Sequence, residues 1–340
     1  MAGATFGGAE AFFERMVLAL HDDSVPQSVI IRPGDGRETR LAAAGLPVAT
    51  APFGKQFDFR TPSTIRREMK RFDPQVTLAW MSRAAELTPH PGKGRILAAR
   101  LGGFYHLKYF RRCDHLVGNT RYIVDWLAER GWPREKLSYL PNFTDARPAP
   151  PVDRASLNTP DDAKVIVALG RFHDDKAFDV LLPALAQVPG AILWLAGEGP
   201  RDARLRAQAQ SLGINDRIRW LGWRKDVPAL CAAADVLCCP SRVEPLGNVV
   251  LEGWGHRLPV VAAASTGPAE LIVDGRTGLL VPMEDADALA LALNRVLSDK
   301  SLAHDIAEAA AEVLERDFSR ANVVAAYRDF FARMERQCAA

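Results

Sequence analysis

Two glutamates eight positions apart, Glu244 and Glu252, lie in the stretch Pro240-Ser-Arg-Val-Glu-Pro-Leu-Gly-Asn-Val-Val-Leu-Glu252. Apolar runs at 236–239 and 259–262 flank it and read as strands, with a helix at 247–255 between them. Glu244 then falls on the turn at the carboxyl end of a strand, where open α/β sheets bind their ligands. The backbone N–H groups of Leu246, Gly247, Asn248 and Val249 open the helix and can hold an anion. Glu252, two turns further on, can accept hydrogen bonds from sugar hydroxyls. Two carboxylates at this spacing are most often solvated surface charge, but an apolar turn between two strands disfavours that reading here.

The elements that must hold these groups alternate along the whole chain. Strand-length apolar runs at 28–32, 46–50, 75–80, 95–99, 115–118 and 137–140 are interleaved with helical segments near 9–20, 62–72 and 119–130. A proline-rich stretch, 146–162, reads as a linker. Beyond it come strands at 164–169, 192–196, 217–221, 236–239, 259–262 and 278–281, with helices near 177–187, 201–212, 227–234, 247–255 and 285–297. The predicted class is α/β, with two Rossmann-like doubly wound domains at 1–145 and 163–318. The remainder is helical, and in 319–337 the apolar residues Val323, Val324, Tyr327, Phe330, Phe331 and Met334 recur three and four apart.

Gly7-Gly8-Ala9-Glu10 has the form of a loop that follows the first strand of a Rossmann sheet, yet only six small or polar residues precede it. The first strand is therefore expected to be missing or stunted. An empty slot at the centre of a sheet exposes ladder groups and apolar faces of both neighbours. The expectation is that the natural chain begins upstream of Met1 or that another segment fills the slot.

Composition bounds the rest. At 340 residues, 48% apolar and 25% charged with a net charge of +2, the chain is too long for one core and too apolar for disorder. Its five cysteines show no paired ligand spacing and read as reduced thiols. No apolar run reaches the roughly 18 residues of a membrane span, and no secretory signal opens the sequence, so a cytoplasmic location is expected. Residues 55–112 carry 13 Lys and Arg against 4 Asp and Glu, including Arg66, Arg67, Lys70, Arg71, Lys108, Arg111 and Arg112. Such an excess favours an anionic partner surface, phospholipid headgroups or a phosphorylated acceptor, and a peripheral place on the inner face of a membrane. Aromatics are not interleaved as in RNA-binding segments, so nucleic acid is not expected.

In this context the two-glutamate segment resembles the retaining glycosyltransferases of family 4, whose fold is the two-Rossmann GT-B type and whose mark is a Glu-x7-Glu pair. The resemblance takes in Gly7-Gly8-Ala9-Glu10, Leu169-Gly-Arg171-Phe-His-Asp-Asp-Lys176, Leu195-Ala-Gly197-Glu-Gly199-Pro, Leu221-Gly222-Trp223 and Ala263-Ala-Ser265-Thr-Gly267-Pro-Ala-Glu270. It implies an acceptor-binding first domain, a nucleotide-diphospho-sugar-binding second domain across a cleft, and a final helix, 319–337, that packs back on the first. Carried over by position, Arg171 and Lys176 clamp the donor diphosphate, Glu252 holds the ribose, and Glu244 contacts the transferred sugar. Two fixed cations suit a reaction that expels a diphosphate, because they meet the charge that develops as the bond breaks. Ala177 stands where the family commonly has glycine after the lysine. Gly7 and Gly8 would let backbone approach the diphosphate or acceptor, and Gly222 and Trp223 would line the base pocket.

One departure concerns the histidine that many relatives place at the end of the fifth strand. Here that region offers Gly102 and Gly103, which would instead open a backbone-lined site for sugar or phosphate, with Arg100 close by; His106 lies a few residues on and His90 in a proline-rich loop, and both histidines read more simply as surface residues. Asp285-Ala-Asp287 fits the letters of a metal motif but opens a helix, where acidic residues cap free N–H groups. No metal and no cofactor are expected, the nucleotide-sugar being a co-substrate. A dehydrogenase is disfavoured because no Gly-x-Gly-x-x-Gly follows a strand in either half. The resulting expectation is a metal-independent retaining hexosyltransferase acting on a glycan or lipid-linked acceptor, in lipopolysaccharide or other surface polysaccharide biosynthesis. The alternative is a catalytically weak nucleotide-sugar-binding protein acting as sensor or scaffold.

Overall fold

The computed structural model describes the chain except for residues 4–6, 35, 55–56, 145–148 and 340. It divides into two compact units, Met1–Phe143 with Arg320–Ala340, and Thr144–Ser319.

The first unit runs α1 (Gly8–Asp22), β1 (Val29–Ile31), α2 (Arg37–Ala43), β2 (Val48–Thr50), α3 (Arg60–Phe72), β3 (Val76–Trp80), α4 (Met81–Leu87), β4 (Ile96–Leu101), β5 (His115–Gly118), α5 (Arg121–Glu129) and β6 (Leu137–Tyr139). All its strand pairings are parallel, but they form two sheets, β1-β2 and β3-β4-β5-β6. The division falls where the first Rossmann strand would lie. Of the six residues expected there, 4–6 lie outside the described residues, and Met1 makes a single parallel bridge to β1: its amino group donates to the Ile30 carbonyl at 2.7 Å, and Arg32 N–H donates to the Met1 carbonyl at 3.1 Å. β4 is buried along its whole length, as expected for a strand covered on both faces.

The second unit runs β7 (Lys164–Leu169), α6 (Phe178–Ala186), β8 (Ala191–Ala196), α7 (Asp202–Ser211), β9 (Ile218–Gly222), α8 (Val227–Ala233), β10 (Val236–Cys239), α9 (Asn248–Gly255), β11 (Val260–Ala263), α10 (Thr266–Leu271), β12 (Leu279–Val281), α11 (Ala286–Ser298) and α12 (Lys300–Phe318). One parallel sheet, in the order β12-β11-β10-β7-β8-β9, is covered by helices on both faces. The last helix, α13 (Arg320–Ala339), belongs to the first unit, where Val323, Tyr327, Phe330 and Met334 pack with Phe12, Phe13 and Met16 of α1. Burying that stripe is what the three-and-four spacing requires.

Three helices of six or seven residues, α2, α4 and α10, were not expected from periodicity, because fewer than two turns hold too few apolar positions to show a period. The proline-rich linker differs as well. Residues 146–148 lie outside the described residues, but 152–163 are docked on the second unit: Arg154 bonds the carbonyls of Ala163 and Ala233, and Thr159 accepts from the Trp194 indole at 2.9 Å.

His115, on β5, shows how firmly the first unit excludes water. It is buried with its Nε2 2.8 Å from the Ser138 hydroxyl, and burial, then Arg333 and Lys136, push its pKa down to about 4. An unfolded histidine takes up its proton near pH 6.5 while the folded one stays neutral, so stability rises with pH between 4 and 6.5. Acidification through that window should therefore destabilise the unit by at most ~3 kcal/mol. In denaturant titrations at several pH values, His115→Gln should flatten this dependence; an unchanged slope would contradict the assignment.

Candidate active site

The candidate chemistry of the second unit converges at the carboxyl ends of β7 and β10. After β7 the chain turns at Gly170 and runs through Arg171 to a short turn in which Lys176 N–H donates to the His173 carbonyl at 3.0 Å. The Lys176 stem lies against Gly170, where a Cβ would stand 3.3 Å from it. Ala177 caps α6 in the left-handed region, with φ 52°. This explains why glycine suits the position, since an L side chain there costs about 1–2 kcal/mol.

After β10 the chain delivers Glu244, which is 7% exposed. Its carboxylate is paired with the Lys176 ammonium and accepts from Gly247 N–H at 3.2 Å. Burial pulls the Lys176 pKa down, but the charge and hydrogen bond of Glu244 outweigh it, and the ammonium is held above the ordinary lysine value. The lysine is therefore charged at neutral pH, with donors to spare after meeting one carboxylate. Gly247, at φ 88°, caps α9. Its N–H is spent on Glu244, so an anion at this helix start would meet the following N–H groups, Val249 among them. Leu246 is buried beneath the turn. Glu252, in the second turn of α9, is half-buried, accepts from the Thr144 hydroxyl at 3.1 Å and lies 3.6 Å from His256 Nε2.

Arg171 presents the contrasting cation. Its side chain is exposed and makes no ion pair or hydrogen bond among the described residues. It stands on the Lys176 loop as an open positive charge. Trp223 is half-exposed beyond β9, and its N–H donates to Glu198 at 3.3 Å; Gly222, at φ 63°, accepts from Gly197 N–H at 2.8 Å.

Two fastenings have a role that the sequence did not show. Arg242 forks onto Asp179 with two bonds of 2.8 Å, pairs with Glu284 and donates to the Asp174 carbonyl at 2.8 Å, while Arg242 N–H bonds the Asp175 carbonyl. The same guanidinium holds the Asp179 carboxyl below its usual pKa. One side chain thus ties the Lys176 turn to the Glu244 turn. Asp179 and Glu284, its partners, are remote in sequence, and only the fold joins them. The second is Gly267, whose N–H donates to the Glu244 carbonyl at 2.8 Å and whose Cβ, if present, would stand 2.3 Å from the Leu246 backbone.

In the first unit Gly7 caps α1 and Gly8 begins it. Gly102 and Gly103 follow β4, with Gly102 3.6 Å, by its Cβ position, from the Asn119 amide. Arg100 is 2% exposed: it lies over the rings of Phe12 and Trp80, donates to the Tyr327 hydroxyl at 2.7 Å and bonds Asn142. Its guanidinium is enclosed, which the sequence had no means of showing. His106 is exposed and accepts from Lys108 N–H at 3.2 Å, and His90 pairs with Asp114 at 2.8 Å. Asp285 caps α11, accepting from Ala288 N–H at 2.8 Å, and Asp287 accepts from Gln187 at 2.7 Å.

Comparison with known proteins identifies the setting of this arrangement. A family model described as glycosyl transferases group 1 matches residues 151–313. The chain is 39% identical over 328 residues to lipopolysaccharide core biosynthesis glycosyltransferase LpsE of Rhizobium meliloti (strain 1021), covering 96% of each protein. It is 36% identical over 332 residues to LpsD of the same organism, covering 97% of this chain and 96% of that one. The chain belongs to the group 1 glycosyl transferases. The fold of this family member is that of GT-B glycosyltransferases of known structure. Anabaena Alr3699/HepE in complex with UDP and glucose superposes with a TM-score of 0.83 at 21% identity over 98% of each chain. WaaG, a glycosyltransferase involved in lipopolysaccharide biosynthesis, gives 0.73 at 19% identity over 96% of each.

Arg242→Ala should lower kcat/KM at least ~10-fold by freeing the two turns, and Arg242→Lys should not restore it, because an ammonium cannot fork onto carboxylates. Steady-state kinetics on folded protein checks this; wild-type values for Arg242→Ala would contradict the fastening. Gly267→Ala should destabilise the second unit, read as a lower Tm, and unaltered stability would show that the Leu246 backbone can retreat.

Proposed function

We propose that the protein is a retaining glycosyltransferase that moves a hexose-like sugar from a nucleotide-diphospho-sugar to a glycan or lipid-linked acceptor in lipopolysaccharide biosynthesis. The observation that carries this reading is the charged Lys176–Glu244 pair beside the start of α9, with Arg171 open on the same loop. The similarity to LpsE and LpsD along almost the whole chain supports the lipopolysaccharide setting. The UDP and glucose bound by Anabaena Alr3699/HepE are in keeping with a nucleotide-sugar donor.

In this mechanism Arg171, Lys176 and the N–H groups at the start of α9 receive the donor diphosphate, and Glu252 holds the ribose hydroxyls. The bond between the anomeric carbon and the diphosphate oxygen breaks, and the acceptor oxygen bonds to the same face of that carbon. The acceptor proton passes to an oxygen of the departing diphosphate, so the nucleoside diphosphate leaves with both electrons of the broken bond. Glu244 forms no covalent intermediate. It steadies the Lys176 ammonium and faces the positive charge that develops on the sugar. With two cations and a helix start meeting the leaving group, the reading assigns no role to a divalent ion.

The acceptor falls to the first unit. Arg66, Arg67, Lys70 and Arg71 are exposed on α3, and Phe57 and Phe59, 85% and 77% exposed, precede that helix. A basic helix beside exposed aromatics suits an anionic, lipid-linked acceptor at a membrane surface. Among the described residues no helix is long and apolar enough to cross a membrane.

Glu244→Gln and Lys176→Ala should each reduce turnover by about 10²-fold or more while the fold is kept, since each leaves its partner's buried charge uncompensated. Transfer and donor hydrolysis assayed over a panel of nucleotide-sugars test this; saturable donor binding without turnover in the wild type would favour a sensor or scaffold. Reversing Arg66, Arg67 and Lys70 to glutamate should raise the acceptor KM and reduce co-sedimentation with anionic vesicles, leaving donor affinity unchanged. Unchanged acceptor KM and co-sedimentation would remove α3 from the acceptor surface.

A further inference from the structure

The carboxyl ends of β4 and β5, both within the first unit, bring together polar groups that the fold leaves unused. Asn119 N–H donates to the Leu101 carbonyl at 3.2 Å, which holds the residue after β5 beside Gly102, the residue after β4. Asn119 is 4% exposed, yet its side-chain amide makes no hydrogen bond among the described residues, and its oxygen is shut away from water. A polar group so placed has lost its water and gained nothing in return.

Arg100 is in a similar position. Its Nε and Nη2 are taken by Tyr327 and Asn142, and the rings of Phe12 and Trp80 cover the guanidinium. Nη1 makes no hydrogen bond, and no carboxylate lies within ion-pair distance, among the described residues. A cation enclosed by neutral groups alone is short of an anion. The two unused groups meet at Gly102: a Cβ there would stand 3.6 Å from the Asn119 amide nitrogen and 3.9 Å from Arg100 Nη1. Both are ordinary contacts, and Gly102 does not lie in the left-handed region, so the backbone does not require glycine. What the missing side chain does is leave the guanidinium and the amide uncovered.

Aromatic rings stand next to them. Phe104, two residues on, meets the rings of Tyr122 and Trp126 edge to face at 5.6 and 5.3 Å, and the Arg130 guanidinium lies over Trp126 at 4.3 Å. Phe104 and Tyr122 are exposed. Aromatic surface beside a few convergent polar groups is the make-up of a small-molecule site, and the apolar face of a pyranose packs on such rings.

We propose that Gly102, Phe104, Asn119 and Tyr122 form a subsite for an acidic sugar of the acceptor. Its carboxylate or phosphate oxygen accepts from Arg100 Nη1, its hydroxyls bond the Asn119 amide, which can both donate and accept, and its ring rests on Phe104 and Tyr122. The inference rests on the glycosyltransferase reading for the ligand's role as acceptor. It deepens that reading: α3 attracts an anionic acceptor, and Arg100 reads the position of one negative group on it. Arg100 is held in place before the ligand arrives, so little freedom is lost on binding, and an enclosed charge is weakly screened by salt. A neutral hexose would leave the guanidinium without its anion, and the site should reject it for that reason.

The test titrates the full chain, without donor, with glucuronate, glucose 6-phosphate, glucose and inorganic phosphate, followed by NMR at the Asn119 side-chain amide. At least one of the two acidic sugars should bind about ten-fold or more tightly than glucose and than inorganic phosphate, and which one it is separates carboxylate from phosphate. Gly102→Ala, which fits without displacing its neighbours, should weaken that binding at least about five-fold with Tm kept, and Arg100→Met should abolish the preference over glucose. If Arg100→Met fails to fold, Gly102→Ala still decides. Absence of binding by both acidic sugars, equal affinity for glucose, or wild-type affinity in Gly102→Ala would overturn the proposal. Inorganic phosphate bound as tightly as the sugars would also overturn it, leaving a bare anion site. Donor hydrolysis by the wild type keeps the two readings apart: turnover without acidic-sugar binding removes the subsite alone, whereas no turnover with any donor removes the glycosyltransferase reading.

Discussion

A lysine ammonium and a glutamate carboxylate, drawn largely out of water and set against each other, govern the second unit. Lys176 and Glu244 come from turns after different strands, and neither charge can be buried without the other. A pair of this kind contributes little net stability, since desolvation offsets most of the attraction. Its presence at the carboxyl ends of two adjacent parallel strands therefore points to chemistry. The surrounding residues make sense as its support. Gly170 leaves room for the lysine stem, Gly267 lets a neighbouring turn close on the Glu244 carbonyl, and Arg242 binds the two turns together. Arg171, exposed on the same loop, completes a field suited to a diphosphate.

The first unit solves a different problem with related means. Its enclosed cation, Arg100, is stabilised by two aromatic faces, a phenol and an amide rather than by a carboxylate. Through Tyr327 that contact ties β4 to α13, so the last helix of the chain becomes part of the first unit's core. The burial of Tyr327 raises its pKa, with Arg100 opposing, and the hydroxyl stays protonated and available as an acceptor. Among the described residues its strands form two sheets rather than one, and the division falls between β1 and β3.

Much of this was legible beforehand. A fully buried strand such as β8, and the buried interior of β7, announce themselves as unbroken apolar runs, and α13 by its repeating stripe. Glu244, Lys176 and the turn at Gly247 were readable because they lie within short stretches whose residue types have a shared chemical use. The fastening roles of Arg242 and Gly267 were not, although Gly267 lies in a motif of the resemblance, because they depend on partners tens of residues away that only the parallel sheet brings near. Arg100 is expected from sequence only as a neighbour of the site at Gly102 and Gly103; the aromatic faces that enclose it come from α1 and the end of β3, which no local pattern connects. The short helices α2, α4 and α10 escaped for want of length, and the docking of 152–163 because proline-rich composition says nothing about what a segment rests on.

The central claim is that the Lys176–Glu244 pair marks the place of a sugar donor's diphosphate. A crystal structure with a non-hydrolysable nucleotide-sugar bound tests it most directly. The account predicts phosphate oxygens within hydrogen-bond distance of Arg171, Lys176 and the first N–H groups of α9, with the sugar against Glu244. A nucleotide bound away from these residues, with the pair left undisturbed, would contradict it.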